Sequence, residues 1–114
     1  MKILVTGGTG FIGSHTVVEL LNQNHEVVII DNLCNSSESV IKNIEKISNK
    51  TVPFFNMDVR NKKALEDLCS KNNFDCCIHF AGLKAVGESC QKPLEYYDNN
   101  INGTLVLLEV LNIQ

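Results

Sequence analysis

Residues 6–13 read T-G-G-T-G-F-I-G, from Thr6 through Gly7, Gly8, Thr9, Gly10, Phe11 and Ile12 to Gly13, and the fold is decided by what lies on either side of them. Upstream, Ile3, Leu4 and Val5 form a short aliphatic run stopped by glycines, the pattern of a buried parallel strand. Downstream, Phe11 to Asn22 shifts to a helical period, with Ile12, Val17, Leu20 and Leu21 apolar and Ser14, His15, Glu19 and Asn22 polar. Strand, glycine turn and helix in that order make an anion-binding device. The first turn of the helix leaves backbone N–H groups without acceptors, and it carries the positive end of the dipole.

Each glycine has a separate task in such a turn. Gly7 permits the tight reversal, Gly10 lets the backbone approach a pyrophosphate with no Cβ in the way, and Gly13 allows the helix to sit close on the strand. Gly8, Gly10 and Gly13 fit G-x-G-x-x-G, while Gly7, Gly10 and Gly13 fit G-x-x-G-x-x-G, a spacing that resembles the short-chain dehydrogenase superfamily. Gly8 and Gly13 also have the spacing of a nucleotide triphosphatase loop. Ser14 and His15, however, stand where that loop requires Lys and Ser/Thr to reach phosphates and magnesium.

Composition narrows the partners. The chain has 114 residues, 44% hydrophobic and 20% charged, which is one domain of ordinary globular make-up. Its formal net charge of −3, with basic residues scattered, predicts no nucleic-acid or anionic-membrane partner. Cys34, Cys69, Cys76, Cys77 and Cys90 include no C-x-x-C pair, so they read as free thiols and neither a disulfide framework nor a metal site is expected. No apolar run approaches the length of a signal peptide or a membrane span, and the expected location is the cytoplasm.

Beyond the first helix the same alternation continues. Val27 to Ile30 form a second buried strand ending at Asp31, an acid 18 residues past Gly13 and therefore close to the offset at which a carboxylate meets the adenosine ribose hydroxyls. An aspartate there repels a 2′-phosphate, and residues 32–38 hold no arginine to accept one, so the expected cofactor is NAD rather than NADP. Asn35 and Ser36 to Ser39 supply turn and capping chemistry before an amphipathic helix carrying Val40, Ile41, Ile44 and Ile47, which stops near Ser48 and Asn49. Val52 to Met57 reads as the third strand, leading to Asp58, whose carboxylate can accept an adenine amino group. Asn61 then caps a helix through Ala64, Leu65, Leu68 and Cys69.

Asp75 to Phe80 is the fourth strand. Four strands separated by helical patterns imply right-handed crossovers and a Rossmann-like α/β fold, a parallel sheet of order 3-2-1-4 with helices on both faces, ending after about four strands. Its cofactor should cross the carboxyl ends of strands one and four. His79 reads as a packed strand histidine, because no metal partner or nucleophile is spaced to join it. From Pro93 the pattern is helical again, and Ile101, Leu105, Val106, Leu107, Leu108, Val110 and Leu111 make an apolar surface wider than one stripe.

Two stretches sharpen the likeness, D-N-L-C-N-S at 31–36 and H-F-A-G-L-K-A-V-G-E-S-C-Q-K-P-L-E-Y-Y-D-N-N at 79–100. Over its whole length the chain resembles the UDP-glucose 4-epimerase family of extended short-chain dehydrogenases. Related sugar-nucleotide dehydratases share the glycine turn but not the loop at 81–89. The resemblance implies that Phe11 and Ile12 occupy the dinucleotide turn, and that Asp31, Asn32, Leu33, Cys34, Asn35 and Ser36 surround the adenosine ribose. It places Asp58 and Val59 beside the adenine. Phe80, Ala81, Gly82, Leu83 and Lys84 would line the nicotinamide side, Lys84 lending positive charge towards the pyrophosphate, and Asn99 would reach in from the following helix.

Enzymes of that family exchange a hydride between tightly bound NAD and C4 of a UDP-hexose, passing through a 4-keto sugar, with a tyrosine base in a Y-x-x-x-K motif. In this sequence Tyr96 is followed four residues later by Asn100 and Tyr97 by Ile101, so the motif is missing and no residue is assigned a catalytic role. The expectation is an N-terminal, NAD-binding part, inactive alone, with the catalytic residues and the uridine-binding region beyond Gln114. Its parent would act on UDP-glucose and UDP-galactose and form a homodimer through the helix from Tyr96 to Leu111. The alternatives are a stand-alone nucleotide-binding or regulatory module and a related sugar-nucleotide epimerase or dehydratase.

Overall fold

A computed structural model describes residues 1–113. Four parallel strands, β1 (Lys2–Thr6), β2 (Glu26–Asp31), β3 (Phe54–Asn56) and β4 (Cys76–His79), lie in the order β3-β2-β1-β4, as the alternation of patterns predicts. β1 is bonded on both sides, Val5 standing opposite Ile29 on one flank and Ile78 on the other. That position explains its unbroken aliphatic run, since both faces of the strand are covered.

Alternate residues feed two cores. Ile3, Val5, Val27 and Ile29 face α1 (Phe11–Asn22) and α2 (Ser39–Ser48), while Leu4, Val28 and Ile30 face α3 (Lys62–Lys71) and α6 (Gly103–Ile113). Within α1 the buried positions are Gly13, Val17 and Leu21, and Ile12, expected on the apolar face, points out to solvent. Polar chemistry settles the helix ends. Asn61 Oδ1 accepts the Ala64 amide at 3.2 Å, Ser37 Oγ accepts that of Ser39, and Asn49 closes α2 in the left-handed region.

Three expectations need correction. β3 spans three residues rather than the six of Val52 to Met57, because the Val52 amide is taken by Glu45 Oε2 at 2.9 Å and Pro53 has no N–H to give. The stretch at 81–89, read as a loop, contains the start of a short helix, α4 (Val86–Gln91), which buries no residue and so leaves no apolar period in the sequence. The helical run from Pro93 is not regular either. It comprises α5 (Pro93–Tyr97), a π-helical turn over Asp98–Asn102, and α6. Gly103 lets this run press on the sheet side, for a Cβ there would lie 2.8 Å from Val59 Cγ2.

Candidate functional site

The carboxyl ends of β1, β2 and β4 open onto one cleft, with a cavity volume of about 100 Å³. The glycine turn forms its floor. Gly7 adopts φ +68°, and a Cβ there would stand 2.6 Å from the Ala81 amide, so the position is closed to other residues on two counts. Gly10 donates to Gly7 O at 3.1 Å and caps α1 with its carbonyl, which accepts the Ser14 amide at 2.9 Å. No side chain caps this helix among the described residues and no acid sits in its first turn, so the N–H groups at its start and the dipole are left for a ligand. Gly10 lines the cleft, and a Cβ on it would meet Gly7 O alone, at 3.3 Å.

Gly13 is needed for a different contact from the one expected. Its missing Cβ would fall 2.2 Å from Gly7 O, so it seats the helix on the turn rather than on the strand. Gly8 is also constrained, since a Cβ there would lie 2.7 Å from Ile29 Cγ2.

Asp31 closes β2 at the cleft and is half engaged. Oδ1 accepts the Leu33 amide at 2.8 Å and Oδ2 the Thr9 amide at 3.2 Å, which leaves one acceptor position on each oxygen. Two open acceptors side by side match the two donors of a vicinal diol. Thr9, buried, also bonds Ser36 through the two hydroxyls, so the glycine turn and the segment after β2 are tied together. Asn32, Cys34, Asn35 and Ser36 line the cleft, whereas Leu33, at φ +61°, does not.

Asp58 is the opposite case. Its Oδ1 accepts the Arg60 amide and Arg60 Nε, both at 2.9 Å, while Oδ2 accepts Arg60 Nη2 at 2.7 Å and Asn32 Nδ2 at 3.3 Å. The Arg60 side chain holds this carboxyl down from the usual 3.8 to about 2, against the opposing effect of burial. Arg60 reaches on to Asp98 Oδ2 at 2.7 Å, anchoring the start of the π-helical turn. Every acceptor position on Asp58 is therefore filled, and the long bond from Asn32 is the one a ligand amino group can displace.

The far wall is Phe80, Ala81, Gly82 and Leu83, with Asn99 beside it. Asn100 clamps this wall, its Oδ1 accepting the Leu83 amide and its Nδ2 donating to Leu83 O, both at 2.8 Å. Val59, Met57 and Ile30 complete the lining. Sequence reasoning missed the last two, whose only signal was their place one residue before Asp58 and Asp31. It also missed Arg60 and Asn100, which touch the acids and the wall rather than the open space. Phe11 and Ile12 are exposed by side chain and offer the site only backbone, and Lys84 is exposed on the rim outside the lining residues.

Among the described residues no group of three His, Cys, Asp or Glu could hold a metal ion, and no helix is long and apolar enough to cross a membrane. The five cysteines are free thiols, and burial pushes the Cys77 thiol up to about 12.

Comparison with known proteins adds independent findings. The family model described as GDP-mannose 4,6 dehydratase matches residues 4–114. A UDP-glucose 4-epimerase of Neisseria meningitidis serogroup B is 56% identical over 108 residues, 95% of this chain and 32% of that protein. A UDP-glucose 4-epimerase of Klebsiella pneumoniae is 53% identical over 97% of this chain and 80% of its own length. Among solved structures, the UDP-glucose 4-epimerase from Bifidobacterium longum in complex with NAD+ and UDP superposes with a TM-score of 0.97 at 50% identity, over 99% of this chain and 34% of that one. The enzyme from Stenotrophomonas maltophila, with bound NAD and formylated UDP-arabinopyranose, gives 0.96 at 46%, over 98% of this chain and 33% of its own. The chain thus spans about a third of the length of the first curated relatives it matches.

Proposed function

The chain belongs to the UDP-glucose 4-epimerases and to the family described as GDP-mannose 4,6 dehydratase, and from that membership we propose that it is the NAD-binding part of an isomerase interconverting UDP-glucose and UDP-galactose. The observation that carries the proposal is the pairing of Asp31, with an open acceptor on each oxygen, and the uncapped start of α1 in one cleft. A dinucleotide presents a ribose diol and an anionic pyrophosphate at matching places.

The residues divide the cofactor between them. Gly7, Gly10 and Gly13, with the amides of Phe11 and Ile12, receive the pyrophosphate; Asp31 and the segment Asn32 to Ser36 hold the adenosine ribose; Asp58 and Val59 border the adenine once Asn32 releases the carboxylate. Phe80 to Leu83 and Asn99 face the nicotinamide half, and Lys84 contributes charge from the rim. Bound NAD supplies a reversible acceptor for the hydride at C4 of the hexose. Within these 114 residues no side chain is assigned the proton transfer, because neither tyrosine heads a Y-x-x-x-K motif.

Partners follow from the same reading. The parent enzyme takes a UDP-hexose and works in the cytoplasm as a homodimer. Support for the dimer comes from Ile101, Leu105 and Leu108, each at least half exposed, on a run whose Leu107 and Val110 are buried. Calorimetric titration of the chain with NAD and NADP is the test. Binding of NAD in clear preference to NADP is expected, and equal affinity for the two would overturn the assignment of Asp31. Absence of any nucleotide binding would sink the cofactor reading as a whole.

A further inference from the structure

One polar cluster lies behind the cleft wall and joins it through Asn100. His79, at the end of β4 and partly buried, bonds Thr6 Oγ1 through Nδ1 at 2.5 Å and Thr104 Oγ1 through Nε2 at 3.1 Å. Thr6 is fully buried on β1 and its Oγ1 also accepts the Ala81 amide at 3.2 Å. Thr104, on α6, donates to the Asn100 carbonyl at 2.7 Å. Asn100 in turn clamps both backbone groups of Leu83.

Proton counting gives this chain a direction. The Asn100 carbonyl can only accept, so the single Thr104 hydroxyl proton is spent there and Nε2 of His79 must donate to Thr104. In the neutral ring Nδ1 is then an acceptor, which takes the Thr6 hydroxyl proton and leaves a Thr6 lone pair for the Ala81 amide. The series runs Ala81 N–H to Thr6, Thr6 O–H to His79, His79 Nε2–H to Thr104, and Thr104 O–H to Asn100. A protonated ring would turn Nδ1 into a donor and strand the buried Thr6 hydroxyl proton with no acceptor.

We propose that His79 is a positioning residue, held as the neutral Nε2–H tautomer, whose two hydrogen bonds lock the Ala81–Leu83 wall of the cleft in place from β1 on one side and from α6 on the other. That this wall faces the nicotinamide half of a cofactor rests on the function proposed above; the relay itself does not. Burial, first, and the Lys84 ammonium on the connection after β4, second, hold His79 below its ordinary pKa, and its partners on β1 and α6 are uncharged hydroxyls.

The test is made on the 114-residue chain without nucleotide. Long-range proton–nitrogen spectra at pH 7 should show His79 as the neutral Nε2–H form; an Nδ1–H tautomer or an imidazolium would overturn the proposal. Amide exchange adds a readout that mere packing would not move. Protection of Ala81 and Leu83 should fall at least tenfold as His79 titrates, and this step should be absent from His79→Gln. Thr104→Val, which keeps the histidine, should lower Leu83 protection with no matching loss on β2. Protection at both amides that does not change as His79 titrates in the parent chain, or Leu83 protection left unchanged by Thr104→Val, would show that the relay positions nothing. Failure of NAD to bind would count against the cofactor reading alone, because none of these measurements uses it.

Discussion

The Arg60 guanidinium grips the Asp58 carboxylate through both oxygens, Nε to Oδ1 at 2.9 Å and Nη2 to Oδ2 at 2.7 Å, and with its third arm holds Asp98. One side chain therefore joins the end of β3 to the start of the π-helical turn. Planar, two-pronged contacts of this kind are specific to arginine.

Arg60→Lys should accordingly fail to restore what Arg60→Met removes. Because Asp58 is held at about 2 against the usual 3.8, its stabilising effect is complete above the usual value and is lost as pH falls from there towards 2. Urea denaturation across that window should show Arg60→Met already weakened at neutral pH, by about 1 kcal/mol for these partly solvated groups, and less sensitive to acid than the parent chain. Identical acid profiles for the two would refute the role given to Arg60.

His79 contributes a second acid step with its own window. Since its pKa is lowered on folding, the unfolded chain takes up the proton first, so stability is unaffected well above the ordinary value of 6.5 and declines as pH falls below it. The same denaturation series on His79→Gln should lack this decline.

The glycines can be ranked by geometry. Gly7→Ala meets both a positive φ and the Ala81 amide, and Gly13→Ala meets the Gly7 carbonyl, so each should cost about 2 kcal/mol or more. Gly87→Ala, on α4 with nothing within 4 Å of the added carbon, should instead stabilise by about 0.5 kcal/mol. Chemical denaturation of the three variants checks the order.

Asp31→Ala should weaken NAD binding by about 1 to 3 kcal/mol, read by calorimetry, as the bonds between ribose hydroxyls and a charged carboxylate are lost. It should also loosen Thr9 and Leu33, whose amides lose their acceptor. Undiminished affinity would return Asp31 to a purely structural role.

Self-association is expected of the 114-residue chain. β4 pairs on one side only in the described sheet, and Ile101, Leu105 and Leu108 are exposed, so light scattering at tens of micromolar should find a dimer or larger species. A clean monomer would contradict this. A coupled assay for UDP-glucose formed from UDP-galactose should detect no turnover by the chain alone.

Where sequence reasoning succeeded and failed follows from how far each signal reaches. Strand order, the α1 boundaries and the Asn61 cap all rest on residues a few positions apart, which act through backbone chemistry and period. α4 was missed because it buries nothing, and β3 was overextended because a glutamate on α2 claims the Val52 amide. Ile12 and Phe11 were assigned by motif position, which fixes their backbone but not where their side chains point.

The order of aliphatic runs, glycines and strand-end acids along the chain was by itself enough to determine a 3-2-1-4 parallel sheet with an anion-ready helix start at its carboxyl edge. Spacing from Gly13 set Asp31 apart as the ribose acid, with Asp58 left for the adenine, but nothing in the order of residues tells which carboxylate keeps acceptors open. Only the folded arrangement decided that one keeps an acceptor free on each oxygen while the other is saturated. The reason is physical: the groups that fill those positions come from Thr9, Leu33, Asn32 and Arg60, and Arg60 is itself steadied by Asp98, 38 residues further along.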